Sequence, residues 1–390
     1  MKQFDVPEFY RSPLISKLKE QRRIEDPRKK DFTPSLIQLG TQKFYLARHF
    51  GFCYGVENAI EIAYKAIREN PGKRIFLLSE MIHNPAVNED LLAHGIVFLQ
   101  DTHGNQIIPF EALTPDDVVI IPAFGTTVEI QDALEKREIN TRSYNTTCPF
   151  VEKVWNRSEK LGIDAHTIIV HGKSSHEETR ATVSRSAQNA QVVTLYNIKD
   201  AIFLGEVILG QRKPEEFYTH FEGLHTLGFD VAKDLEKIGV VNQTTMLATE
   251  TQEISDYLRT IMIAKYGELE IKNHIADTRD TLCYATNDNQ NATLGLMEIE
   301  ADIAFVIGGY KSSNTTHLVE ILENKFTTYF VESADKLLSI DTIECYNIHT
   351  KAIETRSINL ESAKNIIVTS GASCPDSMVE ALIHKVNSFV

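Results

Sequence analysis

The 390-residue chain contains no apolar run approaching the roughly 20 residues that a membrane-spanning helix needs. It also lacks an excess of positive charge. Its 40 lysines and arginines face 54 acids, giving a formal net charge of −14 at pH 7. That balance argues against non-specific nucleic-acid binding, so an anionic ligand would need a locally donor-rich pocket. The first 40 residues have no apolar signal core, and they carry acids (Asp5, Glu8, Glu20, Glu25, Asp26, Asp31) that organelle transit peptides avoid. A cytoplasmic protein is expected. No CxxC pair occurs, so zinc-ribbon and thioredoxin readings have no local support. Five scattered cysteines do not make a disulfide framework. No GxGxxG fingerprint is present. Gly172-Lys-Ser lacks the earlier glycine of a P-loop, because that position is Thr167. A bound dinucleotide and a nucleotide triphosphatase are both unsupported.

What is present is one pattern, repeated. Short β-branched runs are each followed by a small or polar cluster and then by helical periodicity. Arg74–Leu78 leads to Ser79–Asn84, and Val118–Ile121 to Pro122–Thr127. Thr167–Val170 leads to His171–Thr179, and Lys237–Val241 to Asn242–Met246. Ile303–Ile307 leads to Gly308–Thr316, and Asn365–Val368 to Thr369–Pro375. Strand, polar turn and helix in series predict an α/β chain with parallel-type sheets. In such sheets ligands bind beyond the carboxyl ends of the strands, where these polar clusters fall. Helix capping accounts for many of the Ser, Thr and Asn residues, but not for the histidines and cysteines among them.

Cys53, Cys148 and Cys283 occupy similar settings: Gly-Phe-Cys-Tyr-Gly, Thr-Thr-Cys-Pro and Thr-Leu-Cys-Tyr-Ala-Thr. Each sits at a turn before a helical run, where free N–H groups favour a thiolate. Gly51 and Gly55 allow close backbone approach around Cys53. Three thiolates suit zinc or an iron–sulfur cluster, with one metal position left open. Cys345 and Cys374 lack this setting and read as buried thiols. The cysteines divide the chain into an N-terminal extension (1–40) and three similar αβ lobes, 41–148, 149–282 and 283–390. The middle lobe carries a polar insertion near 211–237.

Eight ordered motifs then resemble one family. They are Gly51-Phe-Cys-Tyr-Gly-Val-Glu-Asn-Ala-Ile60, Ile82-His-Asn84, Thr147-Cys-Pro149, His176-Glu-Glu178, Gln243-Thr-Thr245, Cys283-Tyr-Ala-Thr286, Ser312-Ser-Asn314 and Gly371-Ala-Ser-Cys-Pro-Asp376. Together they look like the LytB/IspH family of 4-hydroxy-3-methylbut-2-enyl diphosphate reductases. The extension and Pro122-Ala-Phe-Gly125 are similar to its plant and cyanobacterial branch. The resemblance implies a trefoil of three αβ lobes around a central 4Fe-4S cluster held by Cys53, Cys148 and Cys283, with one iron open to the substrate. It implies reductive dehydroxylation of (E)-4-hydroxy-3-methylbut-2-enyl diphosphate to isopentenyl and dimethylallyl diphosphate, the last step of the methylerythritol phosphate (MEP) route to isoprenoids.

On the same basis, His83, His176, Ser312, Asn314 and Ser373 match diphosphate-binding positions, and Ser313 adjoins them. Glu178 matches the proton-relay acid. Thr244 matches the threonine that positions substrate and relays protons, with Gln243 beside it. Glu177, the neighbour of Glu178, is a confounder, since two adjacent glutamates commonly form a solvated helix start. Many bacterial members carry histidine where this chain has Phe124, so that donor role is not carried over. Electrons would come from a separate carrier, ferredoxin or flavodoxin; nucleic-acid and membrane partners are not expected. A Cys₃ zinc hydrolase and a non-enzymatic iron–sulfur sensor are the alternatives.

Overall fold

Runs such as Thr167–Val170 and Ile303–Ile307 are apolar or β-branched along their whole length, and every residue of both is buried. Strands covered on both faces are those of parallel sheets flanked by helices. The computed structural model, which describes residues 4–276, 281 and 283–390, contains three such sheets. Its described residues fall into two compact units. One comprises Met1–Glu61, Ile82–Leu91 and Tyr284–Val390, and the other Ile62–Met81 and Leu92–Cys283.

In the first unit a five-stranded sheet runs in the order Ser35–Leu39, Gln42–Leu46, Asn365–Ser370, Ile303–Ile307, Thr328–Val331. The first pair is an antiparallel hairpin and the remaining pairs are parallel. Gln42–Leu46 therefore joins the sheet of the C-terminal third. The expected lobe boundary at residue 41 does not separate sheets, because the hydrogen-bonding edge that this strand meets is Asn365–Ser370. A small antiparallel ribbon, Thr342–Asn347 with Ala352–Ser357, completes the strands of this unit.

The N-terminal extension is part of this core. Ser12 caps the helix Pro13–Glu25 by accepting from Ile15 N, and Pro13 opens it. The helix packs against Asp376–Asn387. Ile15 is completely buried in the main hydrophobic cluster, with Leu14 and Leu18 against it. Ile15→Ala should cost about 2–5 kcal/mol in denaturant unfolding, as core truncations do. A loss below about 0.5 kcal/mol would show that the extension contributes nothing to the core.

The second unit holds two all-parallel sheets. One is ordered Ile96–Phe98, Ile75–Leu77, Val118–Ile120, and the other Val192–Leu195, Thr167–His171, Ile238–Asn242, Ile275–Ala276. Ser143–Asn145, which has strand character in sequence, makes only an isolated bridge from Asn145 to Ile121. The insertion near 211–237 contains two short helices, Pro214–His220 and Val231–Asp234. It is less polar in effect than in composition, because Phe217, Phe221 and Phe229 are buried in this unit's core.

Candidate active site

Within the first unit, Ile303–Ile307 and Asn365–Ser370 are neighbouring parallel strands, so the turns after them leave from the same edge of the sheet. The first turn carries Ser312, the N-cap of helix Ser313–Glu323. Its hydroxyl accepts from Thr315 N at 3.3 Å and Thr315 Oγ1 at 2.9 Å. The second carries Ser373 and Cys374, with Cys374 N bonded to Gly371 O at 3.1 Å. Gly371 lies so close to the Thr315 side chain that any Cβ there would collide with it. Gly309 likewise has room for no Cβ, because the carbonyl of His83 is packed against it. These contacts bring the turns bearing His83, Ser312, Ser313, Asn314 and Ser373 together.

Two polar groups there lack protein partners. Asn314 is buried, and neither its amide nitrogen nor its amide oxygen makes a hydrogen bond; the Ser373 hydroxyl is also buried and unbonded. Buried amides and hydroxyls in this state are costly unless a ligand satisfies them. The helix N-terminus beside them favours an anion.

The Cys53 turn belongs to the same unit. Cys53 N donates to Ala372 O at 3.2 Å, and Glu57 N closes the first turn of helix Tyr54–Glu69 on Cys53 O at 3.0 Å. Lys19 clamps the approach. Its Nζ donates to Phe50 O at 2.8 Å and to both carboxylate oxygens of Asp376 at 2.7 and 2.9 Å. This clamp was not apparent in the sequence, since Lys19 and Asp376 are 357 residues apart.

In the second unit, Thr167–His171 and Ile238–Asn242 are also adjacent and parallel, with His171 opposite Asn242. His176 caps helix Glu177–Ser186, its Nδ1 accepting from Glu178 N at 3.1 Å. A backbone N–H can only donate, so neutral His176 carries its proton on Nε2 and presents a donor there. Glu178 is almost wholly buried. Its Oε1 accepts from Thr244 N at 2.5 Å and its Oε2 is 2.9 Å from Thr244 Oγ1. Burial pushes the Glu178 carboxyl up to about 7, against the opposing pull of the two Thr244 hydrogen bonds. Gln243 braces this turn, accepting from Lys173 N at 3.1 Å and Thr179 Oγ1 at 3.0 Å and donating to Thr245 Oγ1 at 2.8 Å.

The adjacent glutamates do not form a solvated helix start: both are buried, and Glu177 accepts a hydrogen bond from the Ser79 hydroxyl, a partner with no sequence signal. Lys173 points its side chain to solvent. Phe124 stands edge-on to the His176 ring at 5.3 Å, so it packs the histidine and donates nothing.

Cys148 is the N-cap of helix Pro149–Ile163, with its N–H on Ala123 O at 2.9 Å. Cys283 directly precedes helix Tyr284–Leu296. Thr281 Oγ1 donates to Asn242 Oδ1 at 2.6 Å, which ties the segment before Cys283 to the Thr244 turn. None of the five cysteines forms a disulfide. Among the described residues, no group of three or more His, Cys, Asp or Glu side chains is arranged to hold a single metal ion. The fit of Cys53, Cys148 and Cys283 to an iron–sulfur group rests on thiol chemistry and on the position all three share at the start of a helix. Cys345 and Cys374 are fully buried, and burial pushes the Cys374 thiol up to about 12.

Residues 44–387 match the family model described as LytB protein. The chain is 39% identical to a 4-hydroxy-3-methylbut-2-enyl diphosphate reductase of Crocosphaera subtropica, over 97% of this chain and 89% of the relative. It is also 39% identical to the reductase of that name from a Synechococcus strain, over 90% and 86%. The solved Plasmodium falciparum E-1-hydroxy-2-methyl-but-2-enyl-4-diphosphate reductase has the same fold, with a TM-score of 0.62 at 20% identity, covering 87% of this chain and 86% of that one. A second solved structure, of (E)-4-hydroxy-3-methyl-but-2-enyl diphosphate reductase, gives a TM-score of 0.54 at 23% identity over 88% and 98%. No helix among the described residues is long and apolar enough to cross a membrane. With its motifs in order and a match along most of its length, the chain belongs to the LytB protein family.

Proposed function

We propose that this chain reductively removes the hydroxyl of (E)-4-hydroxy-3-methylbut-2-enyl diphosphate as water, taking up two electrons and two protons and giving isopentenyl and dimethylallyl diphosphate. The observation that carries the reading is the buried Glu178–Thr244 pair, an acid held near neutrality at the carboxyl edge of a parallel sheet. A departing hydroxyl needs such a donor, because hydroxide is a poor leaving group.

Cys53, Cys148 and Cys283 would hold a 4Fe-4S cluster, which when bound supplies electrons and an iron position open to the substrate's hydroxyl oxygen. The protein's own groups do the rest. Glu178 Oε1 accepts the Thr244 N–H and Oε2 accepts from Thr244 Oγ1 when the acid is ionised; when the acid is neutral its proton sits on Oε2 and the Thr244 hydroxyl turns to accept it. The Thr244 hydroxyl proton is then free to point at the leaving oxygen. Glu178 and Thr244 thus form a two-member relay, and Gln243 fixes the turn that carries it. Ser312, Ser313, Asn314, Ser373 and His83 form a donor set for the diphosphate, joined by His176. An electron-carrier protein, ferredoxin or flavodoxin, completes the reaction. The zinc-hydrolase and sensor alternatives gain no support from the relatives, which are named as reductases.

Anaerobic purification with iron and sulfide counts, followed by reduced-dye oxidation, tests the reading. A brown protein that oxidises dye only with the hydroxylated allylic diphosphate is expected. Full cluster loading without substrate-dependent oxidation would overturn it.

Asn314 gives a sharper check of the diphosphate site. Asn314→Ala removes two buried, unbonded polar atoms, so the substrate-free protein should be no less stable, while KM for the diphosphate should rise about tenfold or more. An unchanged KM would remove Asn314 from the donor set.

A further inference from the structure

The turn that opens the helix Ser313–Glu323 begins with two glycines, Gly308 and Gly309, which give a chain segment its greatest conformational freedom. Between them and the capping Ser312 lie Tyr310 and the exposed Lys311, so Tyr310 supplies the inward side chain of this turn, packed against the main hydrophobic cluster. Its ring stacks on that of Tyr346, with centroids 4.9 Å apart and planes at 14°. It also stands edge-on to Phe330 at 5.1 Å and 89°, and Phe330 meets Tyr346 at 5.9 Å and 88°. Phe330 is buried in the strand Thr328–Val331, while Tyr346 comes from the antiparallel ribbon. That ribbon is pinned to the same strand. Tyr329 Oη donates to Ser357 O at 2.9 Å, Arg356 Nη1 donates to Thr328 O at 3.3 Å, and the Arg356 guanidinium lies 5.0 Å from the centre of the Tyr329 ring. The ribbon thus presents a fixed ring face to a turn that its own glycines leave loose. A stacked aromatic pair shifts a conformational equilibrium by about threefold to tenfold. Here the favoured conformation is the one in which Gly309 sits under the His83 carbonyl and Ser312 caps the helix that carries Asn314. A diphosphate arriving there does not have to order its own donors.

We propose that the Tyr310–Tyr346 stack, braced by Phe330, is the positioning device of the diphosphate-binding turn, and that the ribbon formed by Thr342–Asn347 and Ala352–Ser357 serves substrate binding as its buttress. The proposal rests on the reductase reading for the identity of the ligand. Tyr346 touches neither the donor set nor the relay; it acts through Tyr310.

The test uses anaerobically purified, cluster-loaded protein with two readouts: dye-driven turnover of the hydroxylated allylic diphosphate, and calorimetric titration with inorganic pyrophosphate. In Tyr346→Ala, KM should rise about threefold to tenfold while kcat and iron content stay at wild-type values, because the loss falls on binding and not on the relay. Pyrophosphate affinity should weaken by the same factor. Tyr346→Phe keeps the ring face and should behave as wild type. Tyr346→Leu fills most of the space without a ring face; it should shift KM in the same direction, and it carries the test if the alanine variant does not fold. Unchanged KM and pyrophosphate affinity in the variants without a ring would overturn the proposal. So would a kcat or iron content that falls in step with the rise in KM, since the ribbon would then only hold the fold together. If wild type shows no substrate-dependent dye oxidation yet binds pyrophosphate with an affinity that loss of the ring weakens, the reductase reading fails and the positioning role stands. Wild type that neither turns over nor binds pyrophosphate would overturn both.

Discussion

Cys148→Ala should fold but retain no cluster and not turn over. The expectation follows from the main-chain bonds that hold this turn. Cys148 is an N-cap whose side chain makes no capping hydrogen bond. The turn is held by main-chain bonds that alanine keeps: Cys148 N to Ala123 O at 2.9 Å, and Val151 N and Glu152 N to Cys148 O at 2.9 and 3.1 Å. Deleting the sulfur therefore removes the proposed ligand without removing the turn. Iron and acid-labile sulfide should fall to background after anaerobic purification, and substrate-dependent dye oxidation should fall with them. The far-ultraviolet circular dichroism should match wild type. Cys345→Ala is the control, because that thiol is buried in the Thr342–Asn347 strand and should leave iron content unchanged. A Cys148→Ala protein that keeps its iron would overturn the ligand assignment.

Glu178→Gln should keep the cluster and lose about 10²–10⁴ in rate, the usual worth of a positioned general acid. Glutamine preserves the acceptor for Thr244 N but carries no acidic proton. In wild type, the carboxyl at about 7 sets the pH profile. kcat/KM should be level below that value and fall about tenfold per unit above it, and the limb should be absent from the variant's residual rate. The same group predicts a stability effect in cluster-free protein. The folded pKa lies above the usual 4.5, so the folded state holds this proton more tightly than the unfolded chain does. The stabilisation is complete below about 4.5 and disappears as pH rises through about 7, a change on the order of 3 kcal/mol. Urea unfolding at pH 8 should therefore find the glutamine variant more stable than wild type, with the gap closing toward pH 5. A rate independent of the substitution would remove Glu178 from the relay.

Much of this was legible in sequence, because local physics set it. Runs such as Ile303–Ile307 and Ile168–Val170 are apolar throughout and became buried parallel strands. The polar clusters after them became capped helix starts, with Ser312 and His176 as the caps. Glu178 and Thr244 could be paired only through family motifs, since 66 residues separate them. What escaped were contacts between distant segments that carry no pattern of their own. Lys19 reads as one more charge on an amphipathic helix, Ser79 as a turn serine and Glu177 as a surface acid. Each is defined by its partner: Asp376, Glu177 and Ser79 respectively. The hairpin Ser35–Leu46 is of the same kind: nothing in its own residues says which sheet receives it, and the strand it meets is Asn365–Ser370.

That hairpin also governs when the protein becomes complete during synthesis. Gln42–Leu46 pairs with Asn365–Val368, and the Gln42 side chain bonds Ala363 O across 321 residues. At about 5–20 residues per second, the first partner waits tens of seconds on the ribosome for the second. The acceptor for Cys53 N, Ala372 O, comes later still. A nascent chain exposes an unpaired strand edge and an unfinished cysteine turn for most of its translation. A chaperone that shields residues 35–46 would protect this edge until its partner strand emerges.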